Sequence, residues 1–279
     1  MTEQLYLADS GVGRFRATVE RALDDRVVLD ATHFYPTGGG QPNDTGTLLV
    51  DGERLPVTDV TKKDTIYHTV DGDPPAAGTR VVGTLDWGRR YAHSRYHTAQ
   101  HLLSAVLLTE FDAPTVGNQL YADRARLDCE YERFSETELA DVEAELNALV
   151  DDGLGVRDYT MDRETAEGEL DTQRTRIDLL PDSIEELRIV EIGDPDDPFD
   201  RTACAGTHVA DTAALGEVTV TGRTTQGSDT ERVTFELADV TPPEPVDVTG
   251  EGADDEAADA ERADGETTDP EGTDGEGDA

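Results

Sequence analysis

Two pairs of residues far apart in the chain share one spacing and one kind of chemistry. His97 and His101 lie four apart, and Cys204 and His208 repeat that interval far downstream. On an α-helix, residues four apart stand one above the other, so His97 and His101 can aim two imidazoles at a single point. With Cys204 and His208 they offer one thiolate and three nitrogen donors, a set suited to one divalent ion per chain, with zinc the expected occupant. The chain holds only six His and two Cys. Packing alone does not require half of the first and one of the second to fall into two matched pairs. In the helical zinc-protease motif, a Glu directly after the first His is the general base. Thr98 stands there instead, so the metal either polarises a substrate oxygen and acidifies a water or is purely structural. No motif places a carboxylate close enough to name as proton donor, and the catalytic residues stay unassigned.

The elements that must position these donors are legible around them. Leu102, Leu103, Ala105, Val106, Leu107 and Leu108 follow the first pair and would seat its helix in a core. Residues 1–86 read as a β-rich, barrel-like domain: short alternating runs such as 26–29, 46–50, 55–60, 65–70 and 79–85 are broken by Asp-Gly and Pro turns. Residues 87–241 read as an α+β domain carrying the metal donors. Within it, 115–121 and 125–131 suggest a turn followed by a half-buried strand with Leu127, Cys129 and Tyr131 on one face. Ser135 and Glu138 form a capping box ahead of a helix ending near Gly153, and a short acidic helix spans roughly Asp162 to Glu169. Strands are expected at 187–193, 216–221 and 232–237, with a Pro/Asp turn leading into Cys204. From Pro242 to Ala279 the composition cannot bury enough apolar surface to order itself and predicts a disordered acidic tail.

Charge sets the environment. The net charge is −40, and Lys62 and Lys63 are the only lysines. Residues 242–279 carry 15 acidic side chains and one Arg, a contribution of −14 that leaves −26 on the remainder. That excess is far more than solubility needs. It fits a halophile, where molar salt screens repulsion within about 3 Å. No apolar run is long enough to span a membrane and Met1-Thr2-Glu3-Gln4 does not open a signal peptide. Cys129, left without a partner, argues for a reducing cytoplasm.

Two further features bear on ligand binding. Gly38-Gly39-Gly40-Gln41, between Pro36 and Pro42, either lets backbone N–H groups approach a ligand closely or is a tight loop between strands. Arg89, Arg90 and Arg95 cluster around the first donor pair as contacts for a phosphate or a ligand carboxylate, or as partners of nearby carboxylates. His93 stands one turn before His97, but a helix presents only two such positions comfortably to one ion, so it is left out of the ligand set.

The Gly38–Gln41 loop, the segment from Asp86-Trp87 to Leu103 and the run Cys204-Ala205-Gly206-Thr207-His208-Val209 together resemble the freestanding alanyl-tRNA editing proteins, the AlaX family, in its medium-length branch. They are similar also to the editing half of alanyl-tRNA synthetase. The likeness runs over about residues 5 to 240, with two departures: Ala205 replaces a Gly of the family motif, and Ser94 stands where members commonly have Met. It implies hydrolysis of the ester joining serine or glycine to tRNA(Ala), with zinc on His97, His101, Cys204 and His208. It places the Gly38–Gln41 loop and Thr115 at the substrate, Thr115 about where the family reads the serine hydroxyl. On sequence alone Thr115 is equally a turn residue. No protein partner is implied. The alternatives are a zinc-stapled tRNA-binding module without chemistry and a fragment related to the synthetase without ligase activity.

Overall fold

The structure, a computed structural model, describes residues 1–171, 174, 175, 177, 181 and 183–250. The strands run β1 (Glu3–Gln4), β2 (Val12–Ala22), β3 (Arg26–Leu29), β4 (Ala31–Thr32), β5 (Gly46–Val50), β6 (Glu53–Lys62), β7 (Ile66–Val70) and β8 (Arg80–Leu85). After helix α1 (Trp87–Phe111) come β9 (Thr115–Leu120), β10 (Ala125–Glu130), α2 (Glu136–Asp151), β11 (Val156–Asp162) and α3 (Arg163–Glu169). The order ends with β12 (Glu186–Asp194), β13 (Asp197–Ala203), β14 (Val218–Thr225), β15 (Thr230–Leu237) and β16 (Val246–Asp247). The fold is mixed α and β, with a barrel-like sheet and few helices.

Period-two alternation builds that sheet. In β2, Phe15, Ala17 and Val19 are buried while Arg16 and Glu20 are exposed, the pattern of a strand with one wet face. The order is β16-β2-β3-β7-β6-β5-β8, and β8 pairs back onto β2, which closes the ring and removes its free edges. Phe15, Leu29, Phe34, Leu48 and Ile66 fill the interior.

The second core forms where α1 packs with α2 and the antiparallel sheet β14-β15-β10-β9. Leu102, Leu103 and Leu107 are fully buried there, as the apolar run predicts, and Leu127 and Cys129 share the buried face of β10. The Ser135/Glu138 capping box is present at the start of α2. A third sheet, β11-β12-β13, carries its own small core under α3.

Three expectations from sequence need correction. Residues 115–120 are a strand, not a turn: β10 supplies the pairing that their own polar sequence does not announce. Residues 197–203, expected as a turn, are also a strand, because Asp200 and Thr202 rather than apolar residues occupy its buried positions. Composition assigns 242–248 to the tail, but Val246 and Asp247 pair with Val12 and Arg14, and Trp87 Nε1–H donates to Pro243 O at 2.6 Å. The chain beyond 250 lies outside the described residues. Among the described residues, no helix is long and apolar enough to cross a membrane.

Candidate metal centre and its cavity

Helix α1 begins at Asp86, whose carboxylate caps the Arg89 N–H at 3.2 Å. Two turns later it delivers His97 and His101 to the place where the loop after β13 brings Cys204 and His208. The four donor atoms all lie within 4.8 Å of one another, and the group could hold a metal ion. Cys204 Sγ is 3.5 Å from His97 Nε2 and 3.4 Å from His208 Nε2. Bond lengths of about 2.3 Å for sulfur and about 2.0–2.1 Å for nitrogen in a tetrahedral site put such atoms about 3.5 Å apart.

Each imidazole is oriented by the bond its far nitrogen makes. His97 Nδ1 faces Gln41 Oε1 at 2.8 Å. That oxygen also accepts from the Thr207 N–H at 3.1 Å, while Gln41 Nε2 donates to Thr207 Oγ1. His101 Nδ1 donates to Asp200 Oδ2 at 2.8 Å. Thr98 Oγ1 gives its hydrogen to Ser94 O and so accepts from His208 Nδ1 at 3.1 Å. All three rings therefore donate from Nδ1 and turn Nε2 toward the cluster. Thr98, which replaces the protease glutamate in sequence, fixes a ligand instead.

The electrostatics suit a cation. Burial opposes a thiolate at Cys204, but His97 and His208 outweigh it and hold the thiol well below its usual value. Burial, then His97, pushes His208 down to about 3, so it is neutral. Burial also opposes charging His101, yet Asp200 and Cys204 raise it to about 9. Burial works against the Asp200 carboxylate, and bonds from His101 and Arg174 overcome it and keep the group ionised. His93 lies outside the donor group. It is fully buried, and burial followed by Arg89 and Arg90 lowers it to about 3.

The motif glycine two residues after Cys204 is sterically required. A Cβ on Gly206 would meet His97 Cε1 at 2.0 Å and Nδ1 at 2.2 Å, so only glycine lets the loop pass under that ring. Ala205, by contrast, is exposed and has no positive φ, so its methyl is accommodated without strain.

A cavity of about 630 Å³ opens over the cluster, touched by His97, His101 and Cys204. Thr115 lines it, and its hydroxyl bonds Ser104 Oγ at 2.5 Å. Arg174 donates to Ser104 and also to Asp200, so one guanidinium links the residue behind His101 to the Thr115 pair. Sequence reasoning missed Asp200, Arg174 and Ser104: an isolated acid, an isolated base and a helical serine carry no spacing signal.

Gly38 and Gly39 line the cavity, whereas Gly40 and Gln41 do not. Gly39 and Gly40 have φ of +57° and +82°, and Gly38 and Gln41 exchange backbone bonds at 3.1 and 2.9 Å, a tight two-residue turn. The Gly40 carbonyl accepts from Leu120 N–H at 2.9 Å. The loop's carbonyls are thus engaged by the loop itself and by β9, and the turn places Gln41 behind His97.

Comparison with known proteins fits this geometry. Residues 6–89 match the family described as tRNA synthetases class II (A), and residues 187–234 match the threonyl and alanyl tRNA synthetase second additional domain. The chain is 39% identical over 247 residues to the alanyl-tRNA editing protein AlaX-M of Methanosarcina barkeri, covering 86% of this chain and 100% of that protein. The chain belongs to the AlaX-M family. The corresponding protein of Methanosarcina acetivorans is 37% identical, also over its full length. The alanine–tRNA ligase of Pyrococcus furiosus is 36% identical over 239 residues, which are 26% of that enzyme.

In this AlaX-M chain the three arginines near the cluster do not form one exposed patch. Arg90 is fully buried, paired with Asp44 and bonded to the Ser10 and His33 carbonyls. Arg95 is 6% exposed and donates to the Ala214, Leu215 and Ala238 carbonyls. Of the two readings offered by sequence, a phosphate contact or a partner for a nearby carboxylate, Arg90 takes the second, and Arg95 donates to backbone carbonyls instead. Arg89 is half-buried and donates to Asn43 O at 3.0 Å.

Proposed function

We propose that this chain is a trans-acting hydrolase that removes serine or glycine wrongly esterified to tRNA(Ala), with one zinc held by His97, His101, Cys204 and His208. The observation that carries the reading is a donor set of one sulfur and three imidazoles, of which His97, His101 and Cys204 line a cavity that Thr115 also lines. It accords with relatives named as alanyl-tRNA editing proteins. When bound, zinc supplies Lewis acidity to an ester already activated toward water. Because four protein donors fill a tetrahedral shell, that chemistry would require one donor to yield or the shell to expand, and orientation of the ester falls to the residues of the cavity wall. Gln41, Asp200 and Thr98 orient the imidazoles so that Nε2 faces the cluster, and Thr115 addresses the amino-acid side chain. Arg174 donates to Ser104, and the Ser104–Thr115 pair uses one hydroxyl hydrogen internally, which leaves one to meet a serine hydroxyl. Alanine would leave that group unpaired, at a cost of about 1–3 kcal/mol.

In the same proposal residues 1–86 and 87–241 are the barrel-like and editing parts of the protein. The net charge of −40 assigns its work to the salt-rich cytoplasm of a halophile. The test is incubation with serine-charged tRNA(Ala) in high salt, with and without a chelator. Release of serine that stops on chelation supports the reading. An intact ester, with the protein folded and bound to the tRNA, would make it a binding module.

A further inference from the structure

The chain averages 63 acidic residues in 279, so about five of the twenty-three that line the large cavity would be Asp or Glu by composition alone. Among the described residues, none is. The wall carries two side chains with permanent positive charge instead, Arg174 and Lys62. Arg174 is paired with Asp200, whereas no carboxylate among the described residues pairs with Lys62. Lys62 Nζ donates to Gln4 Oε1 at 2.8 Å, and Tyr6 O–H donates to the same oxygen at 2.8 Å. Gln4 therefore holds the ammonium at the rim without neutralising it. An exposed ammonium on a wall cleared of like-charged competitors is what an anion needs in a protein whose surface otherwise repels it.

We infer that Lys62 contacts a backbone phosphate of the single-stranded tRNA end whose aminoacyl ester enters the cavity, and that the missing carboxylates are the other half of the same recognition. The inference rests on the hydrolase reading for the identity of the polyanion. A neighbouring lysine, Lys63, does not line the cavity and serves as the control.

The experiment measures deacylation of serine-charged tRNA(Ala) by wild type, Lys62→Gln, Lys62→Arg and Lys63→Gln across a KCl series. It is repeated with seryl-adenosine, which carries the ester but no phosphate. Lys62→Gln is expected to raise KM for the charged tRNA about three- to tenfold with kcat unchanged, and to lower the slope of log(kcat/KM) against log[KCl] by about 0.7. Lys62→Arg should restore most of the loss, and Lys63→Gln should change nothing. Seryl-adenosine should be hydrolysed equally by all four. Equal KM and slope in wild type and Lys62→Gln would overturn the inference, as would an equal loss in Lys63→Gln or a matching loss on seryl-adenosine. If wild type hydrolyses neither substrate, the hydrolase reading fails. Anisotropy of a labelled tRNA-end oligonucleotide with wild type and Lys62→Gln then decides the phosphate contact separately.

Discussion

Two cavities reach the histidine–cysteine cluster, and their walls are opposites in charge. The larger is touched by His97, His101 and Cys204 and is free of carboxylates among the described residues. The smaller, about 340 Å³, is touched by His208 and bordered by Asp9, Asp158 and Glu244. The smaller also has arginines, but both are paired with carboxylates. Arg188 bonds Asp158 and the Leu7, Cys204 and Gly206 carbonyls, and Arg157 is paired with Glu191. Among the described residues the large wall is the one without a carboxylate. The difference supports the large cavity as the face that would admit a polyanion under the proposed reading, without reference to cavity size.

The strongest way to break the comparison is to close the shared wall. Gly206→Ala places a methyl 2.0 Å from His97 Cε1, and the ring can yield only by leaving Gln41 and the cluster. Metal content is expected to drop from one per chain to a small fraction, and deacylation by more than about a hundredfold. Metal analysis beside activity reads both, and a fully loaded, active variant would show that the loop is looser than it looks.

Asp200→Asn acts one step further from the metal. Loss of an orienting carboxylate typically weakens metal affinity about 10–100-fold. It also removes a charge that keeps His101 protonated up to about 9. Because that proton must leave before Nε2 can ligate, metal affinity of the native protein should fall as pH drops below about 9, by up to about tenfold per unit from this group. The variant should show a shallower dependence between about 6.5 and 9. Chelator competition at several pH values distinguishes this from simple unfolding, which would not change the pH slope.

Thr115→Val tests the large cavity alone. Keeping the shape but deleting the hydroxyl should cost preference for serine-charged over glycine-charged tRNA by about 1–3 kcal/mol, with metal content unchanged. A variant that loses both substrates equally would make Thr115 a structural residue of β9.

These tests separate what the chain announced from what it concealed. The donor pairs were legible because a helix and a short loop each impose a fixed interval on residue types too rare to coincide by chance. The barrel-like sheet was legible from alternation in runs such as 65–70 and 79–85. Asp200 was hidden because β13 buries polar side chains and so breaks the apolar alternation that marks a strand. Arg90 and Arg95 looked like surface charge because sequence gives the charge of a residue and not its burial. Their partners, Asp44 and a set of backbone carbonyls, come from segments remote in the chain. The cleared wall of the large cavity was invisible for the same reason, since its lining is gathered from both halves of the protein.

The smallest expected effect sharpens the comparison from the other side. Trp87 lines the smaller cavity, and its indole N–H donates to Pro243 O at 2.6 Å, fastening the segment that leads to β16. Trp87→Phe keeps most of the apolar contact and removes that one bond, so unfolding stability should fall by about 1 kcal/mol, with a drop in Tm of about 2–4 °C. The KCl dependence of deacylation and the metal content should match the native protein, because neither the cluster nor the carboxylate-free wall is touched. A loss of turnover larger than the loss of stability would mean that the acidic cavity takes part in the reaction, and the division of labour between the two walls would then have to be withdrawn.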